Sequence, residues 1–196
     1  MIRIGLTGSI GMGKSTVAAM FEALGARTWS ADDAVHRLYS AGGGAVARVG
    51  ALFPSAIVDG AVDRARLAKL VLADQNQLRL LEEIVHPLVG EDRLAFAVAA
   101  GREGAEALVF DIPLLLEGGM RDEYDAVVVV SAPAEVQRER VLARPGMSEQ
   151  KLEAILSQQM PDEKKRHYAD HIIDTGQTIA ATKEQVAQVY KKILAA

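Results

Sequence analysis

At 196 residues, 49% of them hydrophobic and 24% charged, the chain has an ordinary globular composition and can bury a sizeable core in one domain. A net charge of −4 argues against non-specific nucleic-acid binding, and the lack of cysteine excludes disulfides and thiolate metal sites. The N-terminus enters a strand without a charged-then-apolar leader, and the apolar runs fall short of the roughly 20 residues a membrane span needs, so a soluble, cytoplasmic, reducing setting is expected.

Met1–Leu6 is a short apolar run that reads as a buried strand. Directly after it, Gly8-Ser-Ile-Gly11-Met12-Gly13-Lys14-Ser15-Thr16 fits the phosphate-loop pattern of Gly, four residues, then Gly-Lys-Ser. A loop that wraps a polyphosphate turns successive backbone N–H groups inward, and glycine supplies the positive φ and close approach this needs. Lys14 adds a point charge for the β- and γ-phosphates, and the Ser15 hydroxyl is a hard oxygen ligand suited to Mg²⁺. Val17, Met20, Phe21 and Leu24 then recur at helical spacing, with Gly25 as the stop signal. Strand, glycine loop and helix together make this a nucleoside triphosphate site rather than a chance glycine turn.

Ala26–Trp29 predicts a second strand, followed by a helix through Val35, Leu38 and Tyr39 that the triplet Gly42-Gly43-Gly44 breaks. Val46, Val49, Leu52 and Phe53 predict a helix ending near Pro54. From Val62 to Ala100 the periodicity is helical, with His86-Pro87 marking a boundary before a helix through Leu88, Leu94 and Val98. This block is too long for a simple crossover and reads as an insertion.

Ala107–Asp111, Ala126–Ser131 and His171–Asp174 predict three more strands. Pro133 is placed as a first-turn proline for a helix to about Arg144, and Ser148 as the cap of a helix over Glu149–Met160. Thr182 is the expected cap of a C-terminal helix. Strands alternating with helices predict a parallel sheet covered on both faces, an α/β fold with its ligands beyond the carboxyl ends of the strands.

Three further groups of residues bear on the chemistry. Asp32, after the second strand, either orients an attacking hydroxyl toward the γ-phosphate or merely caps the next helix; the residues alone leave the two roles balanced. Asp111 closes an apolar strand as a second Mg²⁺ anchor would, although strands also end in Asp for turn reasons. Arg138, Arg140 and Arg144 follow Pro133, and Arg140 and Arg144, four apart, would share one helix face suited to phosphate oxygens; the nearby Glu135 and Glu139 favour a solvated face, which is the preferred reading of the residues alone. His167 and His171 have no third ligand and make no metal site, and His86 before Pro87 needs no functional explanation. Read from its residues, the chain is a small Mg-dependent NTP-using protein, most simply a small-molecule kinase. A GTPase switch is disfavoured because no Asn-Lys-x-Asp guanine-reading motif is present.

The combination of segments is more specific than the loop. The opening residues, Ser30-Ala-Asp32, Leu81-Glu-Glu-Ile-Val-His86-Pro87, Asp111-Ile-Pro113-Leu-Leu-Leu-Glu117, Gln137-Arg-Glu-Arg140 with Arg144, Gln159–Lys164 and Ala169–Asp174 occur in an order that resembles the dephospho-coenzyme A kinase family over nearly the whole chain. The resemblance implies a P-loop three-layer α/β/α fold with a five-stranded parallel sheet, like that of nucleoside monophosphate kinases. It implies a single domain over 1–196, with a helical substrate subdomain at about 59–100 and a lid at about 140–165.

The implied reaction moves the γ-phosphoryl of ATP, with Mg²⁺, to the ribose 3′-hydroxyl of dephospho-CoA; another nucleoside monophosphate or metabolite kinase is the alternative. Asp32, Lys14 and Arg140 would be catalytic. Gly8, Gly11, Met12, Gly13, Lys14, Ser15, Thr16 and Arg144 would hold ATP, and Ser15 and Asp111 the metal. Asp32, His86, Pro113, Leu114 and Glu117 would line the acceptor side. The expected partner is the small-molecule substrate alone, with no nucleic acid or membrane, the protein being a monomer or weak homo-oligomer. Ser9, Met12 and Ser30 depart from the family pattern, which commonly has Gly, Ser and Asp there.

Overall fold

The computed structural model describes residues 1–72 and 74–196. The chain divides into two compact units, Ser30–Ala99 and the remainder, Met1–Trp29 with Ala100–Ala196.

The larger unit is built on a five-stranded sheet of β1 (Ile2–Thr7), β2 (Arg27–Ser30), β5 (Ala107–Asp111), β6 (Ala126–Ser131) and β7 (His171–Asp174), in the order β2-β5-β1-β6-β7. The pairings of β1 with β5 and β6, and of β6 with β7, are parallel. Alternate side chains explain the two apolar faces. Ile4 and Leu6 of β1, Val109 of β5 and Val128 and Val130 of β6 join one core cluster with Val17 and Phe21 of helix α1 (Lys14–Ala23) and Val186 and Ile193 of helix α9 (Ile179–Leu194). Phe21 and Tyr190 meet edge to face across α1 and α9, at 5.8 Å between centroids. On the other face Phe110 packs between Trp29 and Tyr124. Ile4, Leu6, Val109 and Val128 are fully buried, each contributing about 1.5–3 kcal/mol by removal from water.

The chain leaves β1 toward β2 on one side and leaves β6 toward β7 on the other. The crevice beyond the carboxyl ends of β1 and β6 is therefore the topological switch point where an open sheet takes its ligand.

The remaining helices of this unit are α6 (Ala134–Leu142), α7 (Glu149–Leu156) and α8 (Asp162–His167). Several boundaries correct the sequence reading. Pro133 is the N-cap of α6 rather than part of its first turn, and α6 stops at Leu142, so Arg144 lies in the following turn and does not share a helix face with Arg140. Helix α7 starts after Ser148, whose hydroxyl accepts the Lys151 N–H, but ends at Leu156; Pro161 then opens the separate α8. The cap of α9 is Thr178, which accepts from the Ala181 N–H, while Thr182 sits inside the helix with its hydroxyl donating to the Thr178 carbonyl.

The smaller unit holds α2 (Ala31–Tyr39), α3 (Val46–Leu52), a hairpin of β3 (Ile57–Val58) and β4 (Ala61–Val62), α4 (Arg64–Val71) and most of α5 (Gln75–Arg102). Its core is Tyr39, Val49, Phe53, Val62, Leu67, Val71, Leu81, Val85 and Leu88. The hairpin turns through Asp59 and Gly60, both at positive φ, the two-residue Asp-Gly turn that suits strand twist. Pro87 is no boundary: α5 runs through it, although proline lacks the N–H that would bond the Glu83 carbonyl. Pro87 is exposed, so its ring meets solvent while Val85 and Leu88 beside it stay buried and hold the helix in place.

Candidate active site

The phosphate loop joins β1 to α1 at the switch point. A Cβ on Gly8 would lie 2.4 Å from the Val130 carbonyl of β6, and one on Gly11 (φ 79°) would lie 2.5 Å from Val141 Cγ2 of α6. No other residue fits those two places without moving the sheet or the helix. The Met12 N–H closes a turn on the Ser9 carbonyl at 3.2 Å, and Lys14 Nζ donates to the Gly8 carbonyl at 3.0 Å, so the lysine folds over the loop. Gly13 is the N-cap of α1, and the first turn of α1 holds no acidic side chain. Its positive end therefore stays available to an anion. Ser15 and Thr16 are exposed on that turn, whereas the Met12 side chain is buried in the sheet–helix core and offers a ligand nothing beyond its backbone.

Side chains distant in sequence fix this loop. Gln137 Nε2 of α6 donates to the Ile10 carbonyl at 2.7 Å, and the Ile10 N–H donates to Gln159 Oε1 at 3.0 Å. The Thr175 hydroxyl, just past β7, donates to the Met12 carbonyl at 2.8 Å. Arg140 places Nη1 3.0 Å from Thr175 Oγ1 and Nη2 2.7 Å from the Thr175 carbonyl. Its guanidinium thus sits one side chain away from the loop.

A second network runs from the end of β5. The Pro113 carbonyl accepts from the Thr7 hydroxyl (3.1 Å) and from Lys165 Nζ (3.2 Å). Fully buried Lys165 pairs with Glu117 at 2.9 Å, and Glu117 also accepts the Met160 N–H at 2.7 Å. The Ser131 hydroxyl, at the end of β6, donates to Asp162 Oδ2 at 2.6 Å. Asp111 ends β5 opposite Leu6, with Oδ1 buried. Its carboxylate and the Ser15 hydroxyl are hard oxygen donors of the kind Mg²⁺ takes when phosphates and water supply its other ligands.

Of the sequence-selected residues, the larger unit gathers Gly8 to Thr16, Asp111, Pro113, Glu117 and Arg140 about the carboxyl ends of its strands. Leu114 is exposed there, and Arg144 is exposed in the turn after α6. Asp32 and His86 belong to the smaller unit, Asp32 exposed in the first turn of α2 and His86 exposed on α5. The capping role open to Asp32 is taken by Ser30, whose hydroxyl accepts the Asp33 N–H at 3.2 Å. A serine caps a helix there as well as an aspartate would. Gln137, Gln159, Lys165 and Thr175 carry no local signal of a site role, since each is recognised only by a contact across the fold. Among the described residues, no group of three or more His, Asp or Glu side chains is arranged to hold a metal alone, and no helix is long and apolar enough to cross a membrane.

Comparison with known proteins gives a consistent result. The family profile for dephospho-CoA kinase matches residues 2–181. A dephospho-CoA kinase of Mesorhizobium japonicum is 54% identical over 193 residues, covering 98% of this chain and 97% of that protein. Among solved structures, TT1252 from Thermus thermophilus superposes with a TM-score of 0.85 at 34% identity, covering 97% of this chain and 96% of that one. The dephospho-CoA kinase from Campylobacter jejuni, at 24% identity and TM-score 0.73 with 98% and 97% covered, shares the fold.

Proposed function

This chain belongs to the dephospho-CoA kinase family, and from that membership we infer that it phosphorylates dephospho-CoA with ATP, the step that yields coenzyme A. The observation that carries the reading at the level of chemistry is the phosphate loop at the β1–β6 switch point, with Lys14 folded over it and Arg140 tied to it through Thr175.

In this reading the backbone of Gly11 to Thr16 and the positive end of α1 hold the ATP phosphates, and Lys14 offsets charge on the β- and γ-phosphates. Mg²⁺, held by Ser15 and Asp111 together with the nucleotide, would neutralise phosphate charge. Arg140 directs its remaining N–H groups to the transferring phosphoryl, with Arg144 on the side that closes over ATP. Asp32 accepts a hydrogen bond from the ribose 3′-hydroxyl and aims its oxygen at the γ-phosphorus. The new P–O bond forms there as the bond to the β-phosphate oxygen breaks, and the hydroxyl proton passes to the Asp32 carboxylate as the transfer completes. Such transfer is largely dissociative, so orientation counts for more than full deprotonation. His86, Pro113, Leu114 and Glu117 complete the acceptor side, with Glu117 acting through the ion pair and backbone bond it already makes. The helical block at about 59–100 would be the substrate-binding subdomain and the segment at about 140–165 the lid.

The test is incubation with Mg-ATP and a panel of acceptors: dephospho-CoA, nucleoside monophosphates, adenosine and water alone. ADP release that requires dephospho-CoA, with a product one phosphoryl heavier at the 3′ position, is the expected result. Transfer to another acceptor only, or hydrolysis indifferent to the acceptor, would overturn it.

A further inference from the structure

Thr175 stands immediately after β7, its backbone N–H extending the ladder onto the Ser131 carbonyl at 2.9 Å. It belongs to no motif, yet three of its polar groups are committed and its side chain is buried. A hydroxyl has one proton to give. The Met12 carbonyl stands 2.8 Å away and the Ser131 carbonyl 3.4 Å, so the proton goes to the phosphate loop. The same oxygen accepts from Arg140 Nη1, and the Thr175 carbonyl accepts from Arg140 Nη2.

The guanidinium is therefore fixed at two points on one residue. A fork held twice has its plane defined, and of its five N–H groups three remain for other acceptors. Without the hydroxyl, Arg140 keeps a single bond to the Thr175 carbonyl and can rotate about it, while the Met12 carbonyl between Gly11 and Gly13 loses its donor. Both losses act on the geometry of the phosphate end, and neither touches the acceptor side.

We propose that Thr175 is a positioning residue for phosphoryl transfer, its hydroxyl registering the Arg140 guanidinium against the phosphate loop. The inference rests on the reading of Arg140 as a phosphoryl-facing group.

The test compares Thr175→Val, nearly isosteric but without the hydroxyl, with Thr175→Ser, Arg140→Ala and the Thr175→Val/Arg140→Ala double variant, each confirmed folded by circular dichroism. Thr175→Ala removes the same hydroxyl with no added methyl and gives the equivalent comparison if valine is not accommodated. In the dephospho-CoA-dependent reaction, Thr175→Val is expected to lower kcat by roughly 10- to 100-fold while KM for dephospho-CoA stays within about twofold. Thr175→Ser is expected to recover most of the turnover. The double variant is expected to be no slower than Arg140→Ala alone, because the two residues act as one unit. A purely structural role would instead leave serine as impaired as valine, or add its loss to that of Arg140→Ala; either result overturns the proposal. Normal turnover in Thr175→Val beside a crippled Arg140→Ala overturns it while leaving the reading of Arg140 intact. Normal turnover in Arg140→Ala removes that reading, and this inference with it.

Discussion

Lys165 Nζ of α8 lies 2.9 Å from Glu117 Oε1, and the lysine side chain is wholly buried, its ammonium directed at the segment after β5. A buried pair of this kind contributes little net stability but is costly to break, because the surviving charge is left without a partner. Glu117 also receives the Met160 N–H, and the next residue back, Gln159, accepts the Ile10 N–H, so the pair stands behind one anchor of the phosphate loop. Lys165→Met is expected to lose about 3–5 kcal/mol in urea denaturation, and Lys165→Met/Glu117→Gln distinctly less, since the double variant strands no carboxylate. The KM for ATP should rise in the single variant. A double variant as unstable as the single one would show that shape rather than charge is at stake.

Asp32 stands in the first turn of a helix that Ser30 already caps, so its removal should barely affect folding. The expected loss on Asp32→Asn is well under about 1 kcal/mol, whereas Ser30→Ala should cost about 1 kcal/mol. Turnover should behave the opposite way, falling by roughly 10²-fold or more in Asp32→Asn while ATP binding is little changed. Steady-state kinetics beside denaturation curves separate the two. A fully active Asp32→Asn would make this carboxylate an ordinary solvated side chain.

Gly11 makes the corresponding argument for the loop. An alanine there must adopt a φ near 79° and place its methyl 2.5 Å from Val141 Cγ2 and 3.0 Å from the Gln137 carbonyl. Val141 is fully buried and cannot yield. Gly11→Ala is expected to weaken ATP binding by about tenfold or more in calorimetric titration and to cost about 1–3 kcal/mol of stability. Unaltered ATP affinity would mean that the loop deforms freely.

How far the sequence could be read follows from the range of each signal. The phosphate loop is contiguous, so its spacing alone declares it, and β5 and β6 are legible as apolar runs, whereas β1 carries Arg3 and the short β2 and β7 mix polar and apolar residues. The grip on the loop was not visible: Ile10 and Gln137 are 127 residues apart, Ile10 and Gln159 149, and Met12 and Thr175 163. The β3–β4 hairpin escapes periodicity because two-residue strands have none; its one local signal is Asp59-Gly60 between Ile57-Val58 and Ala61-Val62. Arg144 falls outside α6 because the helix ends at Leu142, two residues before the position its composition suggests.

Pro87 misled for a different reason, since local preference lost to tertiary packing. It occupies the interior of a 28-residue helix, where it removes one backbone hydrogen bond and presses on the preceding turn. Pro87→Ala restores the bond but enlarges the unfolded ensemble, and the balance is expected to stabilise the protein by about 1–2 kcal/mol. A higher urea midpoint at unchanged slope is the signature. If the variant is instead less stable, the packing of the smaller unit depends on the proline, and the KM for dephospho-CoA would then report whether His86 beside it has moved.

Asp125 ties the start of β6 to β1, accepting the Arg3 backbone N–H at 2.7 Å and the guanidinium at 3.1 Å. The side-chain bond from Arg3 holds the Asp125 carboxyl below its usual range. Because the native pKa is the lower one, the group stabilises the fold above the unfolded-state value of about 4, and that contribution drains away as pH falls through the native pKa. Both side chains are about half exposed, 51% and 45%, so solvent screens the pair and limits it to about 1 kcal/mol or less. Asp125→Asn keeps an oxygen for the Arg3 N–H and removes only the charge. The stability gap between this variant and the wild type should be widest near neutral pH, shrink below about pH 4, and narrow again with added salt at pH 7. A gap that is flat in both pH and salt would mean that the hydrogen bonds, not the carboxylate charge, hold the two strands at this end.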